Sequence, residues 1–461
     1  MNFTVAELAA SLGAPASGDA ELTGVAVDSR RVRPGDLFVA IRGARVDGHD
    51  FAGKAAAAGA RALLAERHPE DVRAGFPVVI VRDVVAALRR FASTLKRKMG
   101  FRLAAITGSA GKTTTKEFTA AILARRFAVA KTPGNQNSQI GFPMSVINLP
   151  GDPNPRPDWL VGEMGLSEPG DLATLSRAFE PDVAALLLVA PAHFQFFSSM
   201  EELAKAKAEI LEGLRPGGTF VANADDPRVE AIAARQQGRG RVLRFGRTAP
   251  ADVSARGVES RPGGSRFLLV TPEGEARVDL PVPGLHQVDN FLAASAIGTA
   301  IGVSPADCAA AAGGLRAAEH RGELKPHPSG AVIFDDAYNA NPSSMRAALE
   351  TLATLPGARR IAVLGDMLEL GPDEERWHRE TGAATLGRAD LLVCVGPRAR
   401  EIAAGAIAAG FPEAQVRRVE TAEEAAEALR GKLSEGDVVL FKASHGVGLE
   451  RAVALLTAGA A

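Results

Sequence analysis

Cysteine occurs only twice in these 461 residues, at Cys308 and Cys394, with neither CxxC spacing nor a histidine cluster nearby. That excludes a disulfide framework and a cysteine-rich zinc site, and the Ala-rich and Val-rich settings mark both as reduced core residues. An excess of one charge is also lacking. With 53 Lys+Arg against 54 Asp+Glu, the formal net charge is −1 and there is no basic field for nucleic acid or an anionic membrane surface. The longest apolar run, Val183 to Ala190, is cut by Pro191, well short of the roughly 20 residues a spanning helix needs. The opening MNFTVAELAASLG has no Lys/Arg-rich region of a secretory signal. The expectation is a cytoplasmic, monomeric protein that neither enters a membrane nor binds nucleic acid.

What is present is a modular α/β pattern. A chain of 461 residues exceeds the roughly 250–300 residues over which one core keeps growing, so several domains are expected. Residues 1–98 read as a small α/β module, with a helix over Val5 to Leu12 and strands in VAVDSR, LFVAIRG and PVVIVRD. The basic stretch Lys96 to Gly100 separates it from RLAAITG. Over residues 99–314, apolar strands (WLVGEMG, DVAALLLVA, GTFVANAD) alternate with helices, the pattern of a mostly parallel sheet. Within that stretch, Arg241 to Pro283 is turn-rich and reads as an antiparallel appendage of short strands. Residues 315–461 repeat the alternation in AVIFDDAY, RIAVLGDM, LLVCVG, VRRVE and DVVLFKAS, a second nucleotide-fold-like, Rossmann-like module.

The sharpest chemical signal is the loop that follows RLAAIT. Thr107, Gly108, Ser109, Ala110, Gly111, Lys112, Thr113 and Thr114 stand between a buried-type strand and a helical stretch, as a phosphate loop requires. Glycine lets backbone N–H groups close on phosphate oxygens, the helix N-terminus favours negative charge, and Lys112 reaches the terminal phosphates. The Thr113 hydroxyl is placed to ligate Mg²⁺. Two residues fewer separate its glycines than in the common GxxxxGK[ST] form, and a plain glycine turn is the bland alternative. Glu163, at the end of WLVGEMG, and His193, after DVAALLLVAPA, stand at neighbouring strand ends, where hard ligands for a magnesium nucleotide belong.

Taken together, TGSAGKTTTKE, GNQNSQIGFP, GEMGLSEPGD, APAHFQFF, AKAKAEI, NADDP, PGLHQVDNFLAA and DDAYNANPSSM resemble the Mur ligase family, in its order and over nearly the whole chain. The DDAYNANP and LGDMLELG segments are similar to those of its D-alanyl-D-alanine-adding members. The resemblance implies an ATP-dependent, ADP-forming peptide ligase of peptidoglycan synthesis, acting on UDP-MurNAc-tripeptide and D-alanyl-D-alanine through an acyl phosphate. It also implies a UDP-sugar-binding first domain, a central ATP-binding domain and a C-terminal ligase domain. By the same resemblance Lys112 binds the β/γ-phosphates, Thr113 and Glu163 hold one Mg²⁺, and His193 serves a second. Lys207, which by itself reads as a solvated helix charge, matches a lysine carbamylated in many members. Asn137, His286 and Asn290 fall to the nucleotide, and Arg321 and Asp335 to its phosphate and ribose. Asp336, Tyr338, Asn339, Asn341 and Ser343 fall to the substrate, and Ser29 and Arg30 to the uridine diphosphate end. The chain departs from the family pattern at Ser138, Leu188, Gln287, His320 and His445; glycine is common at the fourth of these and arginine usual at the last. The rival readings are a single-amino-acid adder of the same family and, from another class, a P-loop kinase or nucleotide-switched binding module.

Overall fold

The structure, a computed structural model, describes residues 2–43, 45–149, 156–191, 194, 196–236, 238 and 240–458. They form two compact units: residues 1–106, 126–184 and 209–218 in one, and 107–125, 185–208 and 219–461 in the other.

The first unit begins with the expected helix Val5–Leu12, held by a capping box in which Thr4 Oγ1 accepts from Glu7 N at 3.1 Å and Glu7 accepts from Thr4 N at 3.0 Å. Four short strands, Gly24–Ala26, Asp36–Val39, Ala62–Ala65 and Val78–Ile80, then pair in parallel in chain order. Their nearly all-apolar sequences suit a sheet covered on both faces. The helix Val84–Met99 buries Val84, Leu88, Phe91 and Leu95, an i, i+4, i+7, i+11 stripe. The basic stretch expected to separate two modules is the last turn of this helix. Lys96 is buried and donates to Glu180 O at 3.3 Å, and Gly100 closes the helix at φ 73°, where a side chain would be strained.

The phosphate-loop strand Arg102–Thr107 belongs to a nine-stranded sheet. Its order is Gly274–Leu280, Gly264–Thr271, Val253–Arg261, Arg241–Gly246, Thr219–Asn223, Val183–Leu186, Arg102–Thr107, Trp159–Glu163 and Val129–Lys131. The reading of Arg241 to Pro283 as an antiparallel appendage of short strands holds for its later part and needs correction at its start. Arg241–Gly246 pairs in parallel with Thr219–Asn223 and also with Val253–Arg261, and only the pairings among the three later strands, seven to nine residues long, are antiparallel.

Within the second unit, Leu285–Ile301 is buried around most of its circumference and packs on Lys112–Leu123, with Phe118 and Phe291 edge to face at 6.4 Å. The C-terminal sheet orders Glu323–Pro326, Val332–Asp335, Asp437–Lys442, Arg359–Gly365, Leu391–Val395 and Val416–Val419. Five strands are parallel, with apolar cores on both faces. The antiparallel edge Glu323–Pro326 was not expected from its polar sequence ELKP. Cys308 and Cys394 are free and buried, as read, and burial pushes both thiols up to about 12.

Candidate active site

Strand Arg102–Thr107 is apolar and buried except at Arg102, so it delivers its C-terminal end to a fixed point, and helix Lys112–Leu123 starts five residues later. Between them Gly108 and Gly111 take φ +155° and +83°. A Cβ at Gly108 would lie 3.0 Å from that of Leu187, and one at Gly111 would collide with Asn290 Oδ1. Both glycines are therefore demanded by backbone conformation and by space. Ser109 ties the loop to the next strand end: its N donates to Leu188 O at 2.9 Å, and its Oγ donates to Ala190 O at 2.7 Å. Leu187 N donates to Thr107 O at 3.0 Å, and Asp226, of the NADDP segment, accepts from Val189 N at 2.7 Å. The loop is thus built before any ligand arrives, with Ala110 between its fixed ends.

Lys112 Nζ donates to Gly108 O at 2.7 Å, folded back over the loop it would serve. Thr113 and Thr114 are buried in the first turn of the helix. The Thr107 hydroxyl is buried with no hydrogen-bond partner among the described residues. An orphaned donor beside a backbone cradle is what a phosphate oxygen would satisfy. Asn290 takes part from the neighbouring helix, accepting from Thr115 Oγ1 at 3.4 Å and donating to Gln287 Oε1 at 3.1 Å. Gln287, one of the departures, therefore serves as the support for Asn290. His286, one turn before Asn290, has a covered Nδ1 with no hydrogen-bond partner among the described residues, and burial pushes its imidazole down to about 4.

Lys207 overturns its plain sequence reading. Two residues away on the same helix Lys205 is exposed, but Lys207 is only 2% exposed. Burial, and then the nearby positive charge of Lys112, drive its amine well below the usual lysine range. Among the described residues no hydrogen bond or ion pair reaches its head group. An unpaired buried ammonium is costly, so the site suits a lysine that is neutral or carries an added anionic group.

In the first unit Glu163 is buried at its strand end. Asn137 Nδ2 donates to Glu163 Oε1 at 2.6 Å, and Glu163 N donates to Thr132 Oγ1 at 3.3 Å. Magnesium takes one or two protein oxygens beside phosphate and water, and the Glu163 carboxylate and Thr113 hydroxyl are oxygens of that kind. His193 lies outside the described residues. Ser29 opens a one-turn helix with Arg30, whose guanidinium is exposed and grips Asp28 at 2.7 and 2.9 Å, holding that carboxyl down to about 2.

The DDAYNANP segment gathers the remaining residues. Asp335 is fully buried and accepts from Lys325 Nζ and meets His320 Nδ1, both at 2.7 Å. Lys325 gave no sequence signal; His320 did, as a departure, and it sits at φ 56°, a conformation natural to glycine. Asp336 pairs with Lys442 at 2.5 Å, and Lys442 also donates to Asn339 O at 3.0 Å. Arg321 lies over the Tyr338 ring at 3.9 Å, and His445 stacks with Tyr338 at 5.4 Å and 22°. Asn341 caps helix Pro342–Thr354 by accepting from Ser344 N at 2.8 Å, while its Nδ2 donates to Ser109 O at 3.3 Å. Ser343 follows, half-buried, in that first turn. Within this unit the NANP turn therefore touches the phosphate loop itself.

A phosphate loop, a buried lysine beside its Lys112 and a polar turn bonded to its backbone fit an ATP-dependent, ADP-forming ligase. Comparison with known proteins gives the family. Residues 21–96 match the Mur ligase family, catalytic domain, 106–298 the Mur ligase middle domain, and 320–445 the Mur ligase, glutamate ligase domain. The UDP-N-acetylmuramoyl-tripeptide--D-alanyl-D-alanine ligase of Bacillus subtilis is 35% identical over 93% of this chain and 92% of its own. The Escherichia coli protein of that name is 36% identical over 87% and 88%. Among solved structures, MurF from Acinetobacter baumannii aligns with a TM-score of 0.89 at 28% identity, covering 99% of both chains. The MurF ligase of Thermotoga maritima in complex with ADP aligns at 0.80 and 30%, covering 94% of this chain and 97% of its own. The chain belongs to the Mur ligase family, and its three-domain α/β architecture is that of the MurF structures.

Proposed function

We propose that this protein joins D-alanyl-D-alanine to UDP-MurNAc-tripeptide at the expense of ATP, in the cytoplasm, completing the pentapeptide precursor of peptidoglycan. Sequence likeness to ligases of that name over about nine-tenths of the chain supports the reaction. The observation that carries it from the site is the bond between Asn341 and Ser109 O, because a kinase or a nucleotide switch has no need of an amine-side turn on its phosphate loop.

Amide formation from a carboxylate in water is uphill, so the carboxyl oxygen must first become a leaving group. A carboxylate oxygen of the tripeptide attacks the γ-phosphorus of ATP and ADP departs, giving an acyl phosphate. The free amine of the dipeptide then attacks the acyl carbon, and the tetrahedral adduct expels phosphate. Loop N–H groups and Lys112, released from Gly108 O, hold the transferring phosphoryl group, and catalysis is mainly positioning and electrostatics. Magnesium held by Thr113, Glu163 and, for a second ion, His193 would neutralise phosphate charge. Lys207 would act as a carbamate, formed when its neutral amine takes up carbon dioxide. Asn137 keeps Glu163 aimed; Asn290 and His286 line the nucleotide side, with Arg321 and Asp335 for its phosphate and ribose. Asp336, Tyr338, Asn339, Asn341 and Ser343 face the substrates, and Ser29 and Arg30 the uridine diphosphate.

The acyl phosphate is tested with tripeptide labelled by ¹⁸O in its terminal carboxylate. One labelled oxygen should appear in each released phosphate, and Lys112→Ala should abolish release while leaving UDP-substrate binding intact. Unlabelled phosphate, or turnover by the variant, would defeat the mechanism.

A further inference from the structure

The first unit holds an open groove of about 270 Å³ lined by guanidinium groups: Arg89, Arg90 and Arg97 from helix Val84–Met99, and Arg177 from helix Asp171–Phe179. The first helix carries five basic residues and no acidic one in its 16 positions, VVAALRRFASTLKRKM. An ordinary solvated helix face interleaves the two signs. Arg177 is matched by Glu212 at 2.5 Å, and Glu180 is the one carboxylate on the wall. The other three guanidiniums meet neutral groups or none. Arg89 donates to Gln139 Oε1 at 3.3 Å, and Arg97 donates to Ser93 Oγ at 2.9 Å; among the described residues Arg90 has no side-chain partner. Ser93, only 4% exposed, is itself fixed by donating to Ala178 O at 2.5 Å. Two of the forks are therefore oriented in advance by neutral bonds, which lowers the ordering cost of binding an anion.

We propose that this groove binds a soluble phosphorylated small molecule through bidentate arginine contacts. Planar guanidiniums match phosphate oxygens in pairs. The volume corresponds to roughly nine waters at about 30 Å³ each, enough for a mono- or diphosphate head and below the size of a drug-sized pocket. The site shares no residue with the phosphate loop, and the proposal does not rest on the reaction proposed above.

The test is calorimetric titration of inorganic pyrophosphate into the full chain, with a non-hydrolysable ATP analogue saturating the phosphate loop. One further site should appear. It should weaken at least tenfold in the Arg90→Ser, Arg97→Ser double variant and tighten in Glu180→Gln. Both arginines are exposed, so the double variant should melt with the wild type. Absence of the extra site, or equal affinity in the double variant, would overturn the proposal. So would arginine-dependent binding to phosphatidylglycerol vesicles without pyrophosphate binding, which would assign the groove to a lipid headgroup.

Discussion

Lys207 and His286 show how burial can dominate the chemistry of a side chain. A lysine whose folded-state proton affinity is depressed costs stability at any pH below its ordinary value of 10.5, a cost that the carbamate proposed for Lys207 would remove. A neutral amine reacts with carbon dioxide and an ammonium does not. The expected outcome is a carbamate resonance in ¹³C NMR after addition of labelled bicarbonate, lost in Lys207→Ala, together with activity in that variant restored by short carboxylic acids plus bicarbonate. Near-normal unrescued activity in Lys207→Ala would dismiss the role. His286 has its imidazole lowered from 6.5 to about 4 by burial, which outweighs the attraction of Asp336. The unfolded chain takes up that proton first, so the contribution of His286 to stability is intact above pH 6.5 and lost as pH falls toward 4. In denaturant titrations His286→Gln should flatten the stability profile over that interval; an unchanged slope would count against it. Neither burial was legible in the sequence. AKAKAEI presents Lys205 and Lys207 alike, and only the docked helix separates the exposed one from the covered one.

Elements were more legible where their pattern has a local cause. The helix Val5–Leu12 was read from its sequence pattern, and the structure adds the capping box that starts it; the phosphate-loop strand was read from an apolar run ending at glycine. Strands in the C-terminal module announced themselves as apolar runs because parallel strands are covered on both faces. The edge Glu323–Pro326 was missed because it is short, polar and ends in proline, and the basic turn at Lys96 was misjudged because its burial depends on Glu180 far along the chain. At the site, loop residues and Asn341 were read by motif, but the bonds that unite them were not. Asn341 does two tasks, capping helix Pro342–Thr354 and bonding Ser109 O. Replacing it with alanine should cost about 1 kcal/mol of stability from the cap and lower kcat/KM. Asn341→Ser should keep the cap but lose the reach, restoring the melting temperature while kcat/KM stays reduced, by up to about tenfold for one hydrogen bond. Full activity in the serine variant would show that the contact with the loop is idle.

For the molecule as a whole, the proposed reaction makes three demands: hold a nucleotide-sugar, activate its peptide carboxylate, and present an amine before water intervenes. The phosphate loop was readable because it lies at the end of an apolar strand, where its chemistry belongs. The contacts between distant segments, such as Asn341 with Ser109 and Asp335 with Lys325, were not, since no local pattern encodes a partner 232 or 10 residues away. The amine is what separates this ligase from its relatives, so the most direct measurement supplies ATP and UDP-MurNAc-tripeptide and follows ADP release with D-alanyl-D-alanine or with single amino acids. Release that depends on the dipeptide, with formation of the pentapeptide, is predicted. Equal or greater release with a free amino acid, or ADP release that needs no amine at all, would contradict the account.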